Sequence, residues 1–262
     1  MPTLLLAPRY TEDSNALWRA AIADGWDVRR PAGWRAPAGI TGEIAIYGEP
    51  LFAAAMADQL GLCLLEPTFD WLTCLPREHV GRRVELTTLA AARAIEREAF
   101  VKPADDKSFR AAVYPSGAAV AAHESIAPAT PVLVSEPVVW IAEHRCFVVE
   151  QALVATSPYA RRGELARRGD DWPHEEGEEA AVRGFVADLL GDERVALPAA
   201  VVIDVGLIEG RGWAVVEANP CFGSGLYGCE PAAALMAARR ACRGPADLAP
   251  GDERWVIRRD PA

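Results

Sequence analysis

Ala200-Val-Val-Ile-Asp204-Val-Gly206-Leu-Ile-Glu-Gly210-Arg211-Gly212-Trp-Ala-Val-Val-Glu217-Ala-Asn219-Pro220 reads as two β-strands joined by a tight turn. With Gly210-Arg211 as the loop, residues whose numbers sum to 421 face each other across the ladder. Asp204 then stands opposite Glu217. Asn219 shares their face, while Ile203, Val205, Leu207 and Val216 project from the other face into a core. A one-residue slip would part the two acids. Carboxylates roughly 5 Å apart repel by about 3 kcal/mol at an effective dielectric of about 20, so the pair needs a proton, an arginine or a divalent cation. Two carboxylates and an amide oxygen suit Mg2+, with phosphates and water completing its shell. The alternative is a cross-strand acid pair neutralised by a neighbouring arginine. Pro220-Cys221-Phe222-Gly223-Ser224-Gly225 follows at once and can bring backbone amides against an anion.

Outward from this hairpin, a second signal lies in the basic residues. Of 27, only Lys102 and Lys107 are lysines, both within Phe100-Val-Lys102-Pro-Ala-Asp-Asp-Lys107-Ser108-Phe109. A coding bias toward arginine leaves lysine mainly where a compact ammonium does what a planar guanidinium does not. Lys102 ends an apolar run before a proline, the end of a strand, where a phosphate can be met. Lys107 follows two aspartates and reads equally as a solvated turn.

Length and charge bound the class. A chain of 262 residues, 51% hydrophobic, buries a substantial core in one large domain or two small ones. A net charge of -10 opposes nonspecific binding to nucleic acid or anionic membrane. Six cysteines without CxxC spacing build no structural zinc site, and together with the lack of a secretory h-region they fit a reduced, cytoplasmic setting. No apolar run approaches the roughly 20 residues of a membrane span.

Along the chain, residues 3–7 and 43–47 read as strands, and 12–24 and 51–60 as helices, a small α/β unit. A short helix over 70–75, a strand over 83–86 and an Ala-rich helix over 88–97 follow. From residue 99 to 157 strands dominate: 99–102, 112–114, 132–135, 138–149 and 152–157. Residues 161–177 read as an exposed charged loop, and 178–190 as a helix. The main boundary is placed near residue 98, giving units 1–98 and 99–262.

Phe-Val-Lys102-Pro, Leu-Val-Ser135-Glu136-Pro, Glu143-His-Arg145-Cys-Phe-Val, Asp204-Val-Gly and Glu217-Ala-Asn219-Pro occur in the order typical of ATP-grasp enzymes. From residue 82 to the final helix the chain resembles an ATP-grasp ligase. Its nearest form is similar to a small bacterial and phage-associated clade that pairs two arginines with one lysine. The resemblance implies an α/β (α+β) ATP-grasp fold behind a Rossmann-like pre-ATP-grasp domain, with ATP and one or two Mg2+ ions as cofactors. It implies Lys102 at ATP phosphate or adenine and Ser135-Glu136 as the adenine hinge. Arg145 would face the phosphates, with Glu143 on its strand face either holding it or lining the nucleotide site. Asp204, Glu217 and Asn219 would hold Mg2+. Arg82, or its neighbour Arg83, would replace the first lysine of ordinary members. No Gly-rich stretch lies between Lys102 and Val113, where Lys107 and Ser108 would stand in for the phosphate-covering loop.

The implied reaction joins a carboxylate to an amine through an acyl phosphate, on an amino acid, peptide or other small carboxylate, with no nucleic acid or membrane partner. Oligomeric state is left open, a homodimer included. The loop Gly223-Ser224-Gly225-Leu226-Tyr227-Gly228 would hold the substrate carboxylate on its amides. An ATP-grasp phosphotransferase or a non-catalytic ATP-binding protein is the alternative. The same loop matches GxGxxG, a remote pointer to a dinucleotide-dependent oxidoreductase. Tyr159, Arg161 and Arg162 are read as charged surface loop. His79, His123, His144 and His174 lack ligand spacing and read as surface or satisfied residues.

Overall fold

Residues 140–161, rich in β-formers, fold as a long hairpin of Trp140–Val149 and Ala152–Arg161. Its two turn residues, Glu150 and Gln151, take φ of 48° and 58°, the mirror-image turn that matches the strands' twist. The chain is described here by a computed structural model covering residues 1–104, 108–120 and 126–256. Ala200–Ile208 pairs with the free edge of Trp140–Val149, Gly212–Asn219 follows it, and Glu164–Leu165 closes the other side. All five strands run antiparallel.

Period-2 alternation splits this sheet's side chains between two cores. Cys146, Val148, Val201, Ile203, Val205 and Val215 pack with Val182, Val186 and Leu189 of the helix Glu178–Gly191. Phe147, Val149 and Val202 pack on the other side with Ala234, Leu235 and Ala238 of the helix Pro231–Ala241.

A second antiparallel sheet has the order Val84–Thr88, Pro131–Ser135, Ala99–Pro103, Ala112–Tyr114. Val101, Val132 and Val134 face its own core, which turns Phe100, Lys102, Leu133 and Ser135 toward the five-stranded sheet. The division expected near residue 98 therefore falls inside this sheet, whose edge strand begins at Val84. The expected helix over 88–97 shortens to Leu89–Arg93, capped by the Thr88 hydroxyl, which accepts from the Ala91 amide at 3.2 Å.

The N-terminal unit is a parallel sheet in the order Asp27–Arg29, Thr3–Leu6, Ile44–Tyr47, with helices Glu12–Ala23 and Pro50–Leu60. It is stitched to the C-terminus by pairing of Cys63–Leu64 with Cys242–Arg243. Residues 162–177 do not hang free as an exposed loop: Trp172 rests edge-on against Tyr227, and a Cβ at Gly228 would lie 2.3 Å from Trp172 Cδ1. Among the described residues no helix is long and apolar enough to cross a membrane.

The Asp204 hairpin corrects its expected turn. Ile208 pairs with Gly212 across a three-residue loop, Glu209-Gly210-Arg211, in which Gly210 takes φ +73° and the Arg211 amide donates to Ile208 O at 3.0 Å. Near the turn, partners sum to 420 (Gly206 with Ala214), and from Asp204 outward they sum to 421 (Asp204 with Glu217). A bulge at Val216 absorbs the extra residue. Two departures from the ideal hairpin thus cancel, and Asp204 still faces Glu217. The bulge also moves Val216 out of the expected core face: Val215 fills that core, and Val216 lines the cleft between the sheets.

Gly206 sits under the ring of Trp140, which stacks on Arg82. A Cβ there would lie 2.6 Å from Trp140 Cε3. Gly206→Ala is expected to cost about 1–3 kcal/mol in chemical denaturation, whereas Gly33→Ala, with nothing within 4 Å of its Cβ, is expected to leave stability within about 0.5 kcal/mol.

Candidate functional site

Three adjacent strands bring the central charges together. Asp204 pairs with Glu217 on one side and with Arg145 on the other, so all three side chains leave one face of the sheet. Arg145 grips Asp204 with a fork, Nε to Oδ1 at 2.9 Å and Nη2 to Oδ2 at 2.7 Å. Its Nη1 donates to Gly225 O at 2.8 Å. The pair is sealed: Asp204 is 1% exposed and Arg145 7%. Burial pushes the Asp204 carboxyl up against the pull of Arg145, and Asp204 in turn raises the guanidinium. Arg145 is thus held by Asp204. Glu143, on the same strand face, accepts from the Tyr159 hydroxyl at 2.8 Å, and burial pushes its carboxyl up.

Glu217 is neutralised from the opposite sheet. Lys102, penultimate in Ala99–Pro103, places Nζ 2.5 Å from Glu217 Oε2. Asn219 Nδ2 donates to Glu217 Oε1 at 2.9 Å and to Asp204 Oδ2 at 3.3 Å. Burial pushes the Glu217 carboxyl up, but the Lys102 charge and the bonds from Asn219 and Lys102 outweigh it and hold the group at about 2. The acid pair is therefore neutralised by two cations, one of them an arginine, which is the alternative the sequence left open. As a metal set the residues fit unequally. Glu217 and Asn219 offer hard oxygens at the cleft edge, with the Glu217 side chain 32% exposed, whereas both Asp204 oxygens are taken by Arg145.

Between the sheets lies a cleft of about 310 Å3, with Val84, Phe100, Leu133, Val138 and Trp140 as apolar walls and Arg82, Lys102, Ser135, Glu136, Glu143 and Glu217 as its polar groups. Arg82 is 7% exposed and donates to the carbonyls of Val80 (3.0 Å), Val215 (2.7 Å) and Val216 (3.0 Å). It therefore clamps the bulge beside Glu217. Burial pushes it down to about 10, still charged at neutral pH. Arg83 turns to the surface beside Glu85. Glu136 is bound by the Arg83 amide at 3.0 Å and by Arg211 Nη1 at 2.6 Å, which ties the hairpin turn to the second sheet.

The 223–228 loop presents carbonyls inward. Ser224 O accepts from Tyr47 at 2.9 Å, Gly225 O from Arg145, and the Ser224 hydroxyl donates to Pro220 O at 2.7 Å. Its Gly223 amide is bonded to Pro220 O and its Leu226 amide to Asp13. The strand entering this loop is the antiparallel edge of its sheet, not the parallel strand that a dinucleotide fingerprint requires. Tyr227, at φ +47°, lies under Arg145 at 4.7 Å and beside Tyr159 at 5.4 Å. Sequence reasoning gave Asp13 and Tyr47 no role and read Tyr159 as surface. Lys107 lies outside the described residues, as does His123.

Two outcomes check this charge arrangement. Arg145→Met strands a buried carboxylate and is expected to cost about 3–5 kcal/mol in chemical denaturation, most of it recovered when Asp204→Leu is added. For Glu217, a folded pKa of about 2 against an ordinary 4.5 means that its contribution is complete above pH 4.5 and is lost as the pH falls toward 2. The stability gap between the wild type and Glu217→Gln is expected to be wide at pH 6 and to shrink by pH 3. An unchanged gap would show that the Lys102 contact does not depress this carboxyl.

Comparisons with known proteins agree with this architecture. A family model for the ATP-grasp domain, that of family 2 in the clade named for two arginines and one lysine, matches residues 79–237. Among solved structures, a RimK domain ATP-grasp protein from Sphaerobacter thermophilus DSM 20745 is 16% identical with a TM-score of 0.56, covering 92% of this chain and 98% of that one. The D-cycloserine synthetase DcsG is 15% identical with a TM-score of 0.54, covering 92% and 99%. No curated protein matches. The match to 79–237 takes in the four-stranded sheet, the cleft and the Asp204 hairpin, and the chain belongs to the ATP-grasp family, in family 2 of its two-arginine, one-lysine clade.

Proposed function

We propose that this chain is an ATP-dependent carboxylate–amine ligase that works through an acyl phosphate on an amino acid, peptide or other small carboxylate. The observation that carries the reading is the cleft between the two sheets, apolar on its walls and closed at one end by the Lys102 contact with Glu217. An adenine ring suits such walls, and Ser135 and Glu136 lie at their rim. In the first step a substrate carboxylate oxygen attacks the γ-phosphorus of ATP and the bond to ADP breaks. In the second, an amine nitrogen attacks the acyl carbon, phosphate leaves with the C–O electron pair, and the nitrogen loses a proton.

The residues have separable tasks. Lys102 exchanges Glu217 for phosphate, supplying a mobile positive charge. Arg145 stays on Asp204 and Gly225 and acts on the triphosphate through its field. Arg82 holds the bulge that aims Glu217 into the cleft. Glu217 and Asn219 would hold Mg2+, with Asp204 joining only if Arg145 releases an oxygen. When bound, Mg2+ would supply charge neutralisation to the phosphates. The loop from Gly223 to Tyr227 would border the carboxylate substrate through its side chains and outer amides. The N-terminal unit fits a pre-ATP-grasp domain, and a cytoplasmic, reduced setting suits six free thiols.

Purified protein with Mg-ATP is expected to release ADP when offered pooled amino acids, peptides and small carboxylates, and Glu217→Gln is expected to abolish it. Saturating Mg-ATP should also raise stability, by about 2.7 kcal/mol at a hundredfold excess over Kd, and Lys102→Met should reduce that gain. Stabilisation without ADP release from any pool would instead identify a non-catalytic ATP-binding protein, and neither effect would remove the nucleotide reading.

A further inference from the structure

His144 precedes Arg145 on the same strand, so its ring leaves the opposite face of the sheet, away from the cleft. That ring is 0% exposed, and neither Nδ1 nor Nε2 has a hydrogen-bond partner among the described residues. It is therefore not the satisfied or surface histidine expected from sequence. A buried imidazole bare at both nitrogens is rare and usually means that a water or an ion belongs there. Its neighbours favour an ion. The His174 ring lies 5.3 Å away, tilted by 32°, and its Nδ1 is also bare. Glu178 Oε1 lies 3.3 Å from His144 Nε2 but is misaligned for a hydrogen bond. One ligand atom from each of the three residues falls within 4.8 Å of the others.

We propose that His144, His174 and Glu178 form a zinc site. Two imidazoles and one carboxylate are a zinc donor set, with a fourth position open for water. Burial pushes His144 down, toward the neutral form that binds metal. Glu178 is held in place from behind, by Arg161 on both oxygens at 2.6 Å and by the Glu175 amide on Oε2 at 2.9 Å. Zinc takes Oε1 from Arg161 Nη1, while Nη2 and the Glu175 amide keep Oε2, the outer support that ligating carboxylates use. Trp213 walls the pocket at 5.6 Å from His144. The site joins the end of the 162–177 segment to the sheet. Because Trp172 of that segment packs on Tyr227, which underlies Arg145, the metal braces the floor of the candidate active site without touching it.

The test uses the full chain, stripped with a chelator and titrated with ZnCl2 in the absence of nucleotide. Calorimetry and elemental analysis after gel filtration are expected to give one zinc per chain, a raised melting temperature, and slower trypsin cleavage at Arg167 and Arg168. His174→Ala, which changes a partly exposed residue, is expected to weaken zinc binding at least about tenfold and to lose both protective effects, with Glu178→Gln as a second variant. Glu217→Gln should bind zinc like the wild type. No zinc bound at micromolar concentrations would mean that the cluster holds water. Zinc that survives His174→Ala and Glu178→Gln, or that is lost in Glu217→Gln, would place the ion elsewhere. Either result overturns the proposal.

Discussion

The carboxylates of Asp204 and Glu217 impose the constraint around which the rest of this site is arranged. They face each other on adjacent strands, and neither can stay ionised beside an apolar sheet without a cation. The two cations come from different places. Arg145 reaches Asp204 within the same sheet and is fully enclosed, and Lys102 reaches Glu217 from the second sheet across a partly open cleft. An enclosed ion pair persists only when its geometry is good and its spare donors are met, as the Arg145 fork and its bond to Gly225 provide. A half-open pair is worth little and exchanges readily. The same two-carboxylate motif therefore contains one permanent pair, which belongs to the framework, and one replaceable pair, which belongs to the chemistry.

The bulge at Val216 makes this arrangement compatible with a three-residue turn. Without it, the offset at Ile208–Gly212 would carry through to the acids and set Asp204 against Val216. A bulge frees backbone carbonyls from the ladder, and at this one the carbonyls of Val215 and Val216 are taken by Arg82. A planar fork can bridge two successive carbonyls while its face stacks on Trp140, which a lysine ammonium cannot do. Such a reading gives a physical reason for arginine at this position: the residue secures the conformation that presents Glu217.

Much of this was legible beforehand because it depended on local pattern. The alternation in residues 200–219 placed Asp204, Glu217 and Asn219 on one face, and the scarcity of lysine singled out Lys102. What stayed hidden depended on long-range pairing. That Arg145 sits beside Asp204 follows from a register linking strands some 59 residues apart in sequence, which no local spacing encodes. Asp13 and Tyr47 reach the 223–228 loop from a different sheet, and nothing near them in sequence marks them. The boundary near residue 98 was drawn where helical pattern gave way to strands, but hydrogen bonding recruits Val84–Thr88 into the later sheet. His144 looked inert because its partners lie 30 and 34 residues downstream and meet it only through folding.

The N-terminal unit is more than an attachment to this machinery. The helix Pro231–Ala241 packs its alanines against Tyr47 and Ala45 of the parallel sheet and against Phe147 and Val202 of the five-stranded sheet in one continuous core. Through the Tyr47 hydroxyl and the Asp13 carboxylate, the first unit also holds the loop whose Gly225 carbonyl steadies Arg145. Arg145 thus depends on three separate stretches of chain. With its donors committed to Asp204 and Gly225, it can influence a bound phosphate only through its field, and among the cleft cations described Arg82 is likewise committed to carbonyls. Lys102 alone of the three has a single, exchangeable partner. The work of meeting a triphosphate therefore falls first to the one lysine that the described chain retains.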